Sequence, residues 1–208
     1  MYETTRLAIA LRMARAVSQM TQKEMAEALG VTKTVIARNE KPDMAMRADT
    51  LVRLVYVMNE QGITIDVFSS LDSVRLYIVG DKLEAAAMRA TRAALNLSQQ
   101  DFADRMGLTK AVVARGERPN STMSATTLMN MSNTLYFMGI KVDWVSLVKD
   151  MTVIVDRRAV EAIDQGIILP GDPEGELVPV SLPEKLRGEA AGNHRVQKRG
   201  KDRNDEES

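Results

Sequence analysis

The chain has 208 residues, 45% of them hydrophobic and 27% charged, and its 28 basic residues balance 28 acidic ones. This composition can fill one ordinary core or two small ones and excludes a globally disordered chain. The absence of cysteine excludes disulfides, thiolate metal sites and cysteine nucleophiles; the single histidine, His194, excludes a multi-histidine metal site, and its place in a polar stretch near the end argues against a histidine-centred triad.

The opening segment carries Glu3, Arg6, Arg12 and Arg15, unlike a signal peptide. No apolar run approaches a membrane span; VSLVKDMTVIV is too short and contains two charges. A soluble, cytoplasmic protein is expected. A first helix is predicted over 6–18, with Leu7, Leu11 and Ala14 on one stripe. Thr21, followed three residues later by Glu24, predicts a capping box opening a second helix that ends at Leu29, with Gly30 as its left-handed stop. Thr32 caps a third helix ending near Glu40, with Pro42 just beyond. A fourth, about 47–60, places Leu51, Leu54, Val55 and Met58 at helical spacing. The period then changes: GITIDVF alternates as a strand does, and RLYIV at 75–79 is a second β-prone run.

The same text then returns. Shifted by 77 residues, the chain aligns with itself without a gap from about Ala8 to Val79, roughly a third of the positions being identical. TKTVIARNEKP at 32–42 recurs as TKAVVARGERP at 109–119. Repeat 2 keeps the helix signals in Ser98 with Asp101, Gly107, Thr109 and Pro119, in Leu128, Met131, Leu135 and Met138, and in the strands GIKVDWV and MTVIV. Two copies predict two small domains, 1–79 and 80–156, and not a solenoid. Two strands alone are marginal, so the four are expected to share one sheet in which strands 63–67 and 140–144 come together. Trp144 is expected in that sheet's core. Beyond Arg157, a short helix over 157–165 is followed by Pro- and Gly-rich, then polar sequence, so 157–208 is read as a flexible tail. The fold class is mainly α with small β additions.

Two stretches, LRMARAVSQMTQKEMAEALGVTKTVIARNE and MRATRAALNLSQQDFADRMGLTKAVVARGE, resemble the Cro/C1 (XRE) family of phage-repressor-like regulators. They share its R-x-x-R first helix, its (T/S)-Q opening of the second, its Ala five residues after the (T/S), and its turn Gly. The strand that follows each is similar to HipB-type antitoxin regulators, and the resemblance covers residues 6–155. It implies two tandem lambda-repressor-like helix-turn-helix domains, each with a short β element. The function implied is a sequence-specific DNA-binding transcriptional regulator, a repressor of phage, plasmid or mobile-element type, with no cofactor. Its partner would be double-stranded operator DNA, an imperfect palindrome. A second reading is an antitoxin-like autoregulator that binds a toxin or other protein partner through its tail. No nucleophile–base pair, metal constellation or phosphate-binding glycine loop supports an enzyme.

A recognition helix must present short or donor-bearing side chains outward near its N-terminus to enter the major groove. Lys33, Thr34, Ala37 and Arg38 do so in repeat 1, and Lys110, Ala111, Ala114 and Arg115 in repeat 2, while Ile36 and Val113 face inward. The resemblance places Lys33, Thr34, Arg38, Lys110, Ala111 and Arg115 where family members touch bases; Val35 and Val112 would meet a thymine methyl. It makes Gln22 and Gln99 phosphate anchors, joined as phosphate candidates by Arg12, Arg89, Lys41 and Arg118. It pairs Arg15 with Glu40 and Arg92 with Glu117, as structure. Gln19 and Asn96 stand where the family has Gly; Asn accepts the left-handed region better than Gln, so the first turn of repeat 1 is expected to be altered. Tandem linkage can replace the assembly of a symmetric dimer, with half-sites roughly 34–36 Å apart. The rival arrangement is a homodimer of the whole chain with four such units.

Overall fold

The computed structural model of the chain describes residues 2–81, 83–119, 121–146, 149–172 and 178–179. The first repeat forms α1 (Tyr2–Val17), α2 (Gln22–Leu29), α3 (Lys33–Asn39), α4 (Ala48–Asn59), β1 (Ile63–Asp66) and β2 (Ser73–Val79). The second forms α5 (Leu83–Ala94), α6 (Gln99–Met106), α7 (Lys110–Gly116), α8 (Ala125–Phe137), β3 (Ile140–Ser146) and β4 (Asp150–Asp156). After these come α9 (Arg157–Asp164), β5 (Ile167–Ile168) and β6 (Val178–Pro179). The bounds of α6, α7 and β4 are those of α2, α3 and β2 displaced by 77 residues.

Local chemistry explains the match. The Thr21 hydroxyl accepts the Glu24 N–H at 3.2 Å, and the Glu24 carboxylate accepts the Thr21 N–H at 2.7 Å, satisfying donors that an open helix end leaves orphaned. Backbone and side-chain hydrogen bonds from Thr21 hold the Glu24 carboxyl below its usual range. Their contribution to α2 is therefore complete above the ordinary glutamate range and fades as pH falls through the lowered value. Ser98 caps α6 in the same way, its hydroxyl accepting the Asp101 N–H at 3.1 Å. Gly30 and Gly107 close α2 and α6 at φ of 64° and 63°, conformations that a side chain disfavours.

The first turn is not altered in repeat 1. Gln19 and Asn96 both adopt the left-handed region, at φ of 58° and 53°. Gln pays the steric cost that Asn partly escapes. Gln19→Gly should therefore raise stability by about 0.5–1 kcal/mol, and Asn96→Gly by less, in urea unfolding; a loss on Gln19→Gly would contradict this.

The four strands form one antiparallel sheet in the order β1-β2-β4-β3. The repeats join through β2 and β4, with Leu76 opposite Val153, and these two residues are 77 apart. A residue paired with its own counterpart marks a local twofold axis, as in an isologous dimer interface. Strands 63–67 and 140–144 do share the sheet but do not meet; β1 and β3 form its opposite edges. Burial decides this order, because β2 and β4 are buried along most of their length, as inner strands are. Trp144, expected in the core, lies on edge strand β3 opposite Met151 and is 39% exposed.

One core crosses the 79/80 boundary. Helix α1 packs on α5, and buried small residues (Ala10 and Ala14 on one, Ala86, Ala87, Ala90 and Ala94 on the other) permit close approach. Ile9, Leu11 and Met13 join Leu76, Met88 and Val153 in the same apolar cluster. The stretch read as a flexible tail from Arg157 is ordered in its first part. Asp156 caps α9, whose Ala159, Val160, Ala162 and Ile163 are buried; α9 packs on α1 and β4, and β5 pairs with β6. The amphipathic VEAI sequence accounts for this docking. The rest of that segment, 173–177 and 180–208, lies outside the described residues. Among the described residues no helix is long and apolar enough to cross a membrane.

Candidate nucleic-acid interface

Helices α3 and α7 are each held from behind by one apolar residue. Ile36 and Val113 are fully buried, which turns the opposite face outward. Thr32 and Thr109 cap the two helices by accepting the N–H of Val35 at 3.4 Å and Val112 at 3.3 Å. On the outer face Lys33, Thr34 and Arg38 are exposed and Val35 and Ala37 half-buried; Lys110, Ala111, Arg115, Val112 and Ala114 repeat that pattern. Lys41 and Arg118 are exposed just past the two helices. Among the described residues none of the side chains of Lys33, Arg38, Lys41, Lys110, Arg115 and Arg118 has a hydrogen-bond or ion-pair partner. Each helix thus presents short side chains flanked by unengaged cations.

Behind this face lies a polar brace, the same in both repeats. Arg15 Nε donates to Glu40 Oε1, and its Nη1 to the Met20 carbonyl at 3.2 Å. Arg92 grips Glu117 with two bonds, Nε to Oε1 at 2.5 Å and Nη2 to Oε2 at 3.1 Å, and reaches the Leu97 carbonyl at 2.8 Å. Gln22 and Gln99 each donate an amide N–H to the same carboxylates at 2.7 Å. Each amide is thereby fixed at the head of α2 or α6, beside the N–H groups of a helix start that favour an anion. The brace spans the start of α2 and the end of α3, so it sets the angle between the two helices.

Arg12 and Arg89 do not belong to this face, which corrects the expectation that they contact phosphate. Arg12 is 4% exposed. It donates to the Glu40, Ala93 and Ala94 carbonyls at 2.9, 3.1 and 2.9 Å. Burial, with Arg15 nearby and against the attraction of Glu40, lowers its pKa to about 10, leaving the guanidinium charged at neutral pH. Arg89 is half-buried and donates to the Glu117, Ala16 and Val17 carbonyls at 2.5, 3.1 and 3.5 Å. The signal that could have found this is the setting of both arginines in Ala-rich helices, where neighbouring backbones come close.

The two copies are not identical. Asn39 is buried at the end of α3, whereas α7 carries Gly116, where a Cβ would come within 2.8 Å of Met88 Sδ. Arg53 donates to the Leu29 carbonyl at 3.0 Å behind the Gly30 turn; its counterpart is Asn130, which lines a cleft of about 690 Å³ with Arg105, Asn133 and Pro170. The chain matches no protein-family model, no curated protein and no solved structure, so its functional reading stands on the residues and geometry above.

Proposed function

We propose that the chain is a sequence-specific DNA-binding regulator of the Cro/C1 type, in which two helix-turn-helix units, α2–α3 and α6–α7, read two half-sites from one polypeptide. The observation that carries this reading is the pair of exposed, short-side-chained, cation-flanked helices held by corresponding Arg–Glu–Gln braces about the Leu76–Val153 axis. Lys33, Thr34, Val35 and Arg38 would meet base edges in one major groove, and Lys110, Ala111, Val112 and Arg115 in the next. Gln22, Gln99, Lys41 and Arg118 would position the backbone. Thr34 and Ala111 differ, so the half-sites would differ, as an imperfect palindrome does. Repression would follow from occupying a promoter.

Neutral overall charge makes this reading depend on the local face. Selection from random-sequence double-stranded DNA tests it and should enrich one bipartite site. With Lys41 and Arg118 as the cations on phosphate, log K should fall against log salt with a slope of about −2, and Lys41→Ala should reduce that slope by about 1 while weakening all sequences alike. Enrichment of no site, or a slope near zero, would refute the reading.

A further inference from the structure

Arg12 and Arg89 are counterparts, 77 residues apart, and their bonds are reciprocal. Arg12 of repeat 1 joins the Glu40 carbonyl, at the C-cap of α3, to the Ala93 and Ala94 carbonyls in the last turn of α5. Arg89 of repeat 2 joins the Glu117 carbonyl, at the C-cap of α7, to the Ala16 and Val17 carbonyls in the last turn of α1. The carbonyls of a helix's last turn lack intrahelical donors and carry the negative end of its dipole. The Ala16 and Ala93 carbonyls already accept the Gln19 and Asn96 N–H groups, so each arginine adds a charged donor there and reaches the terminal carbonyl, Ala94 or Val17, of the other repeat's helix, and does so with the residue that also grips its own outward-facing helix.

We infer that Arg12 and Arg89 are positioning residues that set the separation and relative rotation of α3 and α7, and through them the half-site spacing the protein accepts. This rests on the DNA-binding reading for its last step alone. The geometry of the side chain carries the argument. A guanidinium is a planar fork whose donors leave in fixed directions, so three carbonyls from two repeats hold it, and it holds them, in one arrangement. The shared sheet alone is a weaker restraint on α3 and α7, because it joins the repeats at β2 and β4, which pack on α1 and α5, and α3 and α7 pack in turn on α1 and α5. Spacing is a strict requirement for a two-headed reader: one added base pair displaces a half-site by about 3.4 Å and turns it by about 35°.

The test uses the full chain, Arg12→Lys, Arg89→Lys and the double variant, since lysine keeps the charge and loses the fork. With no native cysteine, Ala48→Cys and Ala125→Cys, exposed at the starts of α4 and α8, accept one spin label each, and pulsed dipolar spectroscopy then reads the distance between the repeats without DNA. The wild-type distribution should be narrow and that of the double variant clearly broader, while thermal melting shows both folded. On the selected site, inserting one central base pair should cost the wild type about tenfold or more in affinity and the double variant about twofold, with affinity for an isolated half-site unchanged. Arg89→Lys, whose side chain is the less buried, serves if the double variant does not fold. An unchanged narrow distribution with an unchanged spacing penalty overturns the inference. A broadened distribution in a chain that selects no DNA supports the positioning role and overturns the DNA reading, so the two failures are told apart.

Discussion

Arg38→Ala should abolish discrimination at one half-site and leave the other intact, and Arg115→Ala should do the reverse. Each guanidinium is exposed, without a partner among the described residues, and lies one turn along a helix whose inner side is locked by a fully buried Ile36 or Val113. A bidentate arginine–guanine contact discriminates by about 1–3 kcal/mol, so each substitution should weaken the full site by roughly 5- to 150-fold. Stability should move by less than about 0.5 kcal/mol, because neither side chain is part of the packed structure. Competition assays on sites mutated in one half make the assignment. In Arg38→Ala, base changes in one half should become silent while those in the other keep their full cost. If both substitutions silence the same half, or neither silences any, α3 and α7 are not the two reading heads.

The largest effect on stability is expected at Arg6. Its side chain is 1% exposed. Nη2 donates to the Val67 carbonyl at 2.7 Å, to Ser73 at 3.1 Å and to Ser70, and Nη1 to Glu3 Oε2 at 2.8 Å. One guanidinium thus ties the β1–β2 connection to α1. Alanine would strand these carbonyls and leave a hole at the edge of the core; each bond from a charged donor contributes about 1.5–3 kcal/mol net, and the loop can rehydrate part of the loss. A destabilisation of about 3–4 kcal/mol is expected from the urea midpoint at unchanged m-value, with Arg6→Lys recovering only part of it. A change below about 1 kcal/mol would show that the loop holds itself. The counterpart of Arg6 is Leu83, and β3 runs on to Ser146 where β1 stops at Asp66, so this brace belongs to repeat 1.

Local elements were legible because their determinants are local. Thr21 with Glu24, Gly30, Thr32 and their counterparts are caps and stops that act within one turn, and the helices begin and end where those residues place them. The strands were legible from alternation, but their order was not. Pairing depends on which strands bury both faces, and the near-continuous apolar character of 74–79 and 151–155 was the clue that places them inside. The arginines show the sharper limit. Arg12 and Arg89 sit in an R-x-x-R pattern that reads as a charged helix face, and only the approach of the partner repeat reveals that carbonyls surround them. Gln19 was misread for a related reason: the Met20 N–H bonds to the Arg15 carbonyl, and the same helix-end pairing of Leu97 with Arg92 in repeat 2 holds both turns in one conformation despite the cost to Gln. The short helix over 157–165 was visible as a pattern, whereas its docking against α1 needed the third dimension.

The central claim is that one chain carries two working heads. Hydroxyl-radical footprinting of the 208-residue chain on its selected site, with the number of bound chains measured by native mass spectrometry, tests it most directly. The account predicts one chain per site and two protected patches on one face of the duplex, centred about one helical turn apart. Two chains with four patches, or one chain protecting a single patch, would contradict it.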